Sequence, residues 1–134
     1  MKRNKICFFG IILLFVVSVC FFLKWEIVSK AASNAFLTYT ASWSGISNRK
    51  CTTITTSDTV GYANATVYEY NDVNTLVDFG YNYQNTQNQS ATASASDKNV
   101  AKARVINYLT DGANGTGNSM GFEDHTINKG QPIS

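Results

Sequence analysis

Few side chains in this 134-residue sequence have types suited to covalent chemistry. His125 is the single histidine, within Phe122-Glu123-Asp124-His125, and Cys51 is the single cysteine beyond Cys20. A thiol and an imidazole make a nucleophile–base pair when a third group orients the base. Nothing in the sequence places Cys51 beside His125, and no serine sits in a G-x-S-x-G context. A histidine next to two acids reads as a solvated turn residue, and Cys51 as a small buried apolar side chain. The segment Asp111-Gly-Ala-Asn-Gly-Thr-Gly-Asn118 offers oxygen atoms. Calcium requires about six to eight of them, usually with several carboxylates. The segment lacks EF-hand spacing, so it reads as a Gly/Asn-rich connection. One cysteine and one histidine do not make a zinc set. The expectation is a non-enzymatic chain without metal or cofactor.

A more informative grouping is aromatic. Along 62–70, Ala63, Ala65 and Val67 alternate with Tyr62, Asn64, Thr66, Tyr68 and Tyr70. If the small residues face inward, Tyr62, Tyr68 and Tyr70 face outward. Lys102, Arg104 and Tyr108 take the outward positions of a later alternating stretch. Tyrosines among polar neighbours provide rigid contact area at low entropic cost, suited to sugar rings or to a protein surface. Tyr62, Tyr68, Tyr70, Lys102, Arg104 and Tyr108 are therefore the candidate binding residues.

Strands must position them. Residues 36–128 show alternation and no long helical periodicity. Leu37, Tyr39, Ala41 and Trp43 share one face of 37–44, and 50–57 is rich in β-branched residues. Val77, Phe79, Tyr81 and Tyr83 share a face of 75–84. Alanines alternate with hydroxyls in 90–96, then with Lys102 and Arg104 in 100–109. Two weaker strands are expected at 119–122 and 125–128. The intervening SGISNR, SDTVG, NDVN, QNTQNQ, SDKN and TDGANGTGNS are turn material. The pattern predicts an all-β fold, an antiparallel β-sandwich of about seven short strands over 36–128, with a flexible tail at 129–134. A hairpin about 96–99 is expected to carry Ala91, Ala93, Ala95, Ala101, Ala103 and Val105 on one face. Alanines bury little area. Leu37, Tyr39 and Trp43, together with Val77, Phe79, Tyr81 and Tyr83, are therefore expected to pack over them.

The chain begins with Lys2, Arg3 and Lys5 followed by an apolar run, 6–23, interrupted only by Gly10 and Ser18. Basic residues before an apolar helix are the layout of an export signal. Residues 1–31 are read as a hydrophobic helix, either a signal peptide or a signal-anchor, and 32–35 as a linker. Small residues fit a cut after Ala31 or after Ala35. Val17-Ser18-Val19-Cys20 has the outline of a lipoprotein signal but lacks the small residue before the cysteine. Residues 32–134 hold six Lys and Arg against eight Asp and Glu, a net charge of −2. This balance argues against nucleic acid, which selects clustered cations, and against a lytic cationic peptide. The domain is expected outside the cytoplasm, secreted after cleavage or tethered by 6–23, with membrane contact only through that segment. In composition the chain is similar to small exported proteins of Gram-positive bacteria. Its expected function is a binding or surface-interaction module with an aromatic sheet face, its partner a cell-surface polysaccharide or a protein receptor. The alternative is a secreted bacteriocin-like or toxin-like antagonist of other cells.

Overall fold

A computed structural model describes residues 27–32, 36–57 and 61–132. The apolar segment 6–23, and with it the expected N-terminal helix, lies outside the described residues, as do 33–35 of the expected linker. Among the described residues no helix is long and apolar enough to cross a membrane. The strands are β1 (Ile27–Ala32), β2 (Leu37–Ser44), β3 (Lys50–Ser57), β4 (Tyr62–Tyr70), β5 (Leu76–Tyr83), β6 (Ala91–Ser96), β7 (Lys102–Thr110) and β8 (Ser119–Asn128). They form two four-stranded sheets, one ordered β1-β2-β3-β6 and the other β5-β4-β7-β8. Every pairing is antiparallel. The fold is all-β and sandwich-like, with seven strands inside 36–128 and β1 added outside β2.

The inner faces follow the alternation. Leu37, Tyr39, Ala41 and Trp43 of β2, Cys51 of β3 and the three alanines of β6 enclose a core. Ala63, Ala65 and Val67 of β4, Ala103, Val105 and Leu109 of β7 and Ile127 of β8 complete it. Polar inner residues are bonded across the sheets. The Thr53 and Thr55 hydroxyls reach Thr40 O at 3.0 Å and Asn64 O at 2.7 Å, and both lie 2.8 Å from the Asn107 amide. A hydroxyl has one proton. Each proton is shared between its carbonyl oxygen and Asn107 Oδ1, and Asn107 Nδ2 is buried with no hydrogen-bond partner among the described residues.

Three expectations are corrected. First, β6 and β7 do not form a hairpin: they belong to opposite sheets. Ala91, Ala93 and Ala95 therefore line one inner face and Ala103 and Val105 the other. The turn between them is held by Asp97, whose Oδ1 accepts the Asn99 N–H at 2.6 Å and whose own N–H donates to Glu69 Oε2 at 2.8 Å. Second, 119–128 is a single strand, carried through Glu123 and Asp124 by continuous pairing with β7. Asp124 points outward to Arg104. His125 is not a turn residue; its ring stacks on Tyr39 with centroids 5.3 Å apart, and its Nε2 lies 2.6 Å from Glu123 Oε2.

Third, Phe79, Tyr81 and Tyr83 do not pack over the alanines. Their side of β5 is the outer one, and Val77 sits at the irregularity in the β4–β5 register. The opposite side of β5 carries Asp78, Gly80 and Asn82, which meet the backbone edge of β6. The Ser96 N–H donates to Asp78 Oδ2 at 2.7 Å, and Asn82 Nδ2 donates to Thr92 O at 2.9 Å. One step beyond the strand, Gln84 Nε2 donates to Ser90 O at 2.9 Å. A Cβ at Gly80 would lie 2.1 Å from Ser94 O. Backbone must approach backbone here, and large rings have no room.

Candidate binding face

The outer face of the β5-β4-β7-β8 sheet is built in rows set by strand register. Tyr83, Asn64, Tyr108 and Phe122 form one row; Tyr81, Thr66, Ile106 and Asp124 the next. Phe79, Tyr68, Arg104 and Thr126 follow, then Leu76, Tyr70, Lys102 and Asn128. Residues two apart on a strand share a face and lie about 7 Å apart. The outcome is a surface of rings along β5 and β4, continued by Ile106, Tyr108 and Phe122.

All six candidate binding residues lie on this face. Tyr62, Tyr68, Tyr70, Lys102 and Tyr108 are half-buried and Arg104 is exposed. Sequence reasoning missed its most exposed rings: Phe79 is 62% exposed, Phe122 57% and Tyr81 48%. Leu76 is exposed as well. The missed signal was Gly80, since a glycine inside a strand marks close approach of another backbone. That places the glycine side of β5 toward the other sheet and the rings outward.

The rings are mutually ordered. Tyr68 and Phe79 stack with centroids 6.4 Å apart and planes 23° apart, while Tyr81 and Tyr83 are tilted at 5.6 Å. Burial, and then the neighbouring Tyr108 and Tyr83 phenols, raise the pKa of the Tyr81 phenol, so its hydroxyl stays a neutral hydrogen-bonding group. At one end the 3₁₀ turn Ala113–Gly115 covers Asn64, which is fully buried. Only glycine fits at 115, where a Cβ would lie 2.9 Å from the Tyr108 hydroxyl and 3.2 Å from Asn64 Oδ1 at a φ of +75°. At the other end Tyr70, Asn74, Lys102, Arg104 and Thr126 line a cavity of about 300 Å³.

The reactive residues lie elsewhere. Cys51 is fully buried and free, its thiol pushed up to about 12 by burial and by Glu69. It therefore remains protonated, and it lies on β3 in the sheet opposite the strand that carries His125. Asp111 uses both carboxylate oxygens on Asn118, accepting its backbone N–H at 2.6 Å and its side-chain NH2 at 2.9 Å. Those hydrogen bonds lower the Asp111 pKa. Comparison with protein-family models, curated proteins and solved structures gives no match.

Proposed function

We propose that the chain is a small exported binding module, not an enzyme, whose outer β5-β4-β7-β8 face takes a cell-surface polysaccharide. One observation carries this reading: among the described residues, the large exposed rings other than Phe36 are gathered on that sheet face in register, with hydroxyls and two cations among them. Soluble monomers seldom expose large contiguous apolar patches, and such patches mark interaction sites. Rings with polar edges stack on the faces of sugars and hydrogen-bond their hydroxyls. The other sheet presents mainly threonine and serine outward on β3 and β6, which provide no such platform. A protonated, enclosed Cys51 favours binding over thiol catalysis.

The test is retention on insoluble cell-wall material, using wild type and a Phe79→Ser, Tyr81→Ser double variant. Both positions are about half exposed or more, so the variant is expected to keep the wild-type far-UV spectrum while losing retention. Retention equal to wild type would overturn the reading.

A further inference from the structure

Building on that binding-face reading, we propose that the cavity lined by Tyr70, Asn74, Lys102, Arg104 and Thr126 is a subsite for an acidic group on the glycan, a carboxylate or a phosphodiester. Its walls come from three strands and a turn. Tyr70 and Lys102 are register partners on β4 and β7, Arg104 and Thr126 are partners on β7 and β8, and Asn74 closes the cavity from the β4–β5 turn.

The two cations differ. Arg104 is held by Asp124 in a two-pronged pair, Nε donating to Oδ1 at 2.8 Å and Nη2 to Oδ2 at 2.5 Å, so Asp124 offsets its charge. Among the described residues Lys102 has no carboxylate partner. The cavity therefore carries one uncompensated positive charge, matching a singly charged anion. A half-buried ammonium attracts an anion more strongly than one in open water. The Tyr70 and Thr126 hydroxyls and the Asn74 amide supply further donors for oxygen atoms.

The turn is already formed. Asn71 Oδ1 accepts the Val73 N–H at 3.2 Å and the Thr75 N–H at 2.8 Å, and Asn74 sits in the left-handed region at φ 63°. Little ordering is left for a ligand to impose. The stacked Tyr68–Phe79 pair occupies the next row, where the sugar ring bearing the acid would lie.

The experiment is affinity electrophoresis through polygalacturonate, its methyl ester, and a ribitol-phosphate polymer. It compares wild type, Lys102→Gln and the Phe79→Ser, Tyr81→Ser variant. Wild type is expected to bind one or both acidic polymers about tenfold tighter than the ester, the order of one charged hydrogen bond. Lys102→Gln should bring acidic binding down to the ester's level. Preference for polygalacturonate assigns a carboxylate, and preference for the ribitol-phosphate polymer a phosphodiester. Three outcomes overturn the subsite: equal wild-type affinity for acid and ester, wild-type affinity in Lys102→Gln, or no binding to either acidic polymer. The face reading is judged separately, by whether the ring variant loses retention on wall material.

Discussion

Glu69 joins the two sheets from a fully buried position on β4. Its Oε1 accepts the Cys51 N–H of β3 at 3.0 Å, and its Oε2 the Asp97 N–H of the β6–β7 turn at 2.8 Å. Burial disfavours the charged carboxylate, and the nearby Asp78 and Asp97 add to that. The two N–H donors oppose it without prevailing. The pKa is pushed up to about 7 from an ordinary 4.5. The folded chain thus keeps this proton to a higher pH than the unfolded chain does. Stability from this group is complete below about pH 4.5, falls as pH rises toward 7, and changes little beyond. Glu69→Gln removes the titration. The variant should melt below wild type at pH 4.5, because a neutral amide replaces one acceptor with a donor, and the gap should narrow by pH 7.5. Melting curves of both proteins across that range provide the check, and a gap independent of pH would show that Glu69 does not titrate there.

At the scale of elements, the seam between β5 and β6 sets which way the rings face. Both are edge strands of their sheets, and unpaired strand edges invite association. Asp78 and Asn82, with Gln84 just beyond, fill the β6 edge with side-chain hydrogen bonds, while Gly80 lets the strands come close. Gly80→Ala sets a methyl against the Ser94 backbone, which cannot rotate away. It is expected to cost about 1–3 kcal/mol, as overpacking does, measured by urea unfolding. Amide exchange at Ser96 should also speed up; unchanged stability and exchange would mean that the seam yields freely. This seam separates what the sequence showed from what it did not. Period-two alternation placed Leu37, Tyr39 and Trp43 inside and put Tyr62, Tyr68, Tyr70, Lys102, Arg104 and Tyr108 on one outer face. It reports which residues share a side of a strand, but not which side is inner. On β2 hydrophobicity decides that question, because the alternate residues are threonine and serine. On β5 it misleads, because the inner positions serve the hydrogen bonds of a neighbouring backbone and so are Asp, Gly and Asn. The β6–β7 crossing was hidden for a related reason: four polar turn residues read equally well as a hairpin or as a step between sheets. Only the buried acceptor Glu69, distant in sequence, distinguishes the two.

For the molecule as a whole, the sandwich ends differently on its two sides. Side chains of β5 fill the β6 edge, whereas β1 covers β2 through six register pairs, from Ile27 with Trp43 to Ala32 with Thr38. Both signal-cleavage positions read from the sequence, after Ala31 and after Ala35, would part β1 from the rest. Such a cut leaves β2, eight residues long, as an edge strand with its outer N–H and C=O groups unpaired. Its Gly-free, Pro-free sequence carries Leu37, Tyr39 and Trp43 on the core side, so it is held straight and in register. A second copy of the same edge, approaching antiparallel about a two-fold axis, would satisfy those groups. A chain starting at Glu26 keeps β2 covered and is therefore expected to associate less. One starting at Ala32 should dimerise reversibly with rising concentration, and a proline at whichever of the neighbouring residues Thr40 and Ala41 directs its N–H to the freed edge should reduce that association. Sedimentation velocity of the two chains over a concentration series decides it. Monomers in both cases would mean that the β2 edge, once freed, is shielded within its own chain.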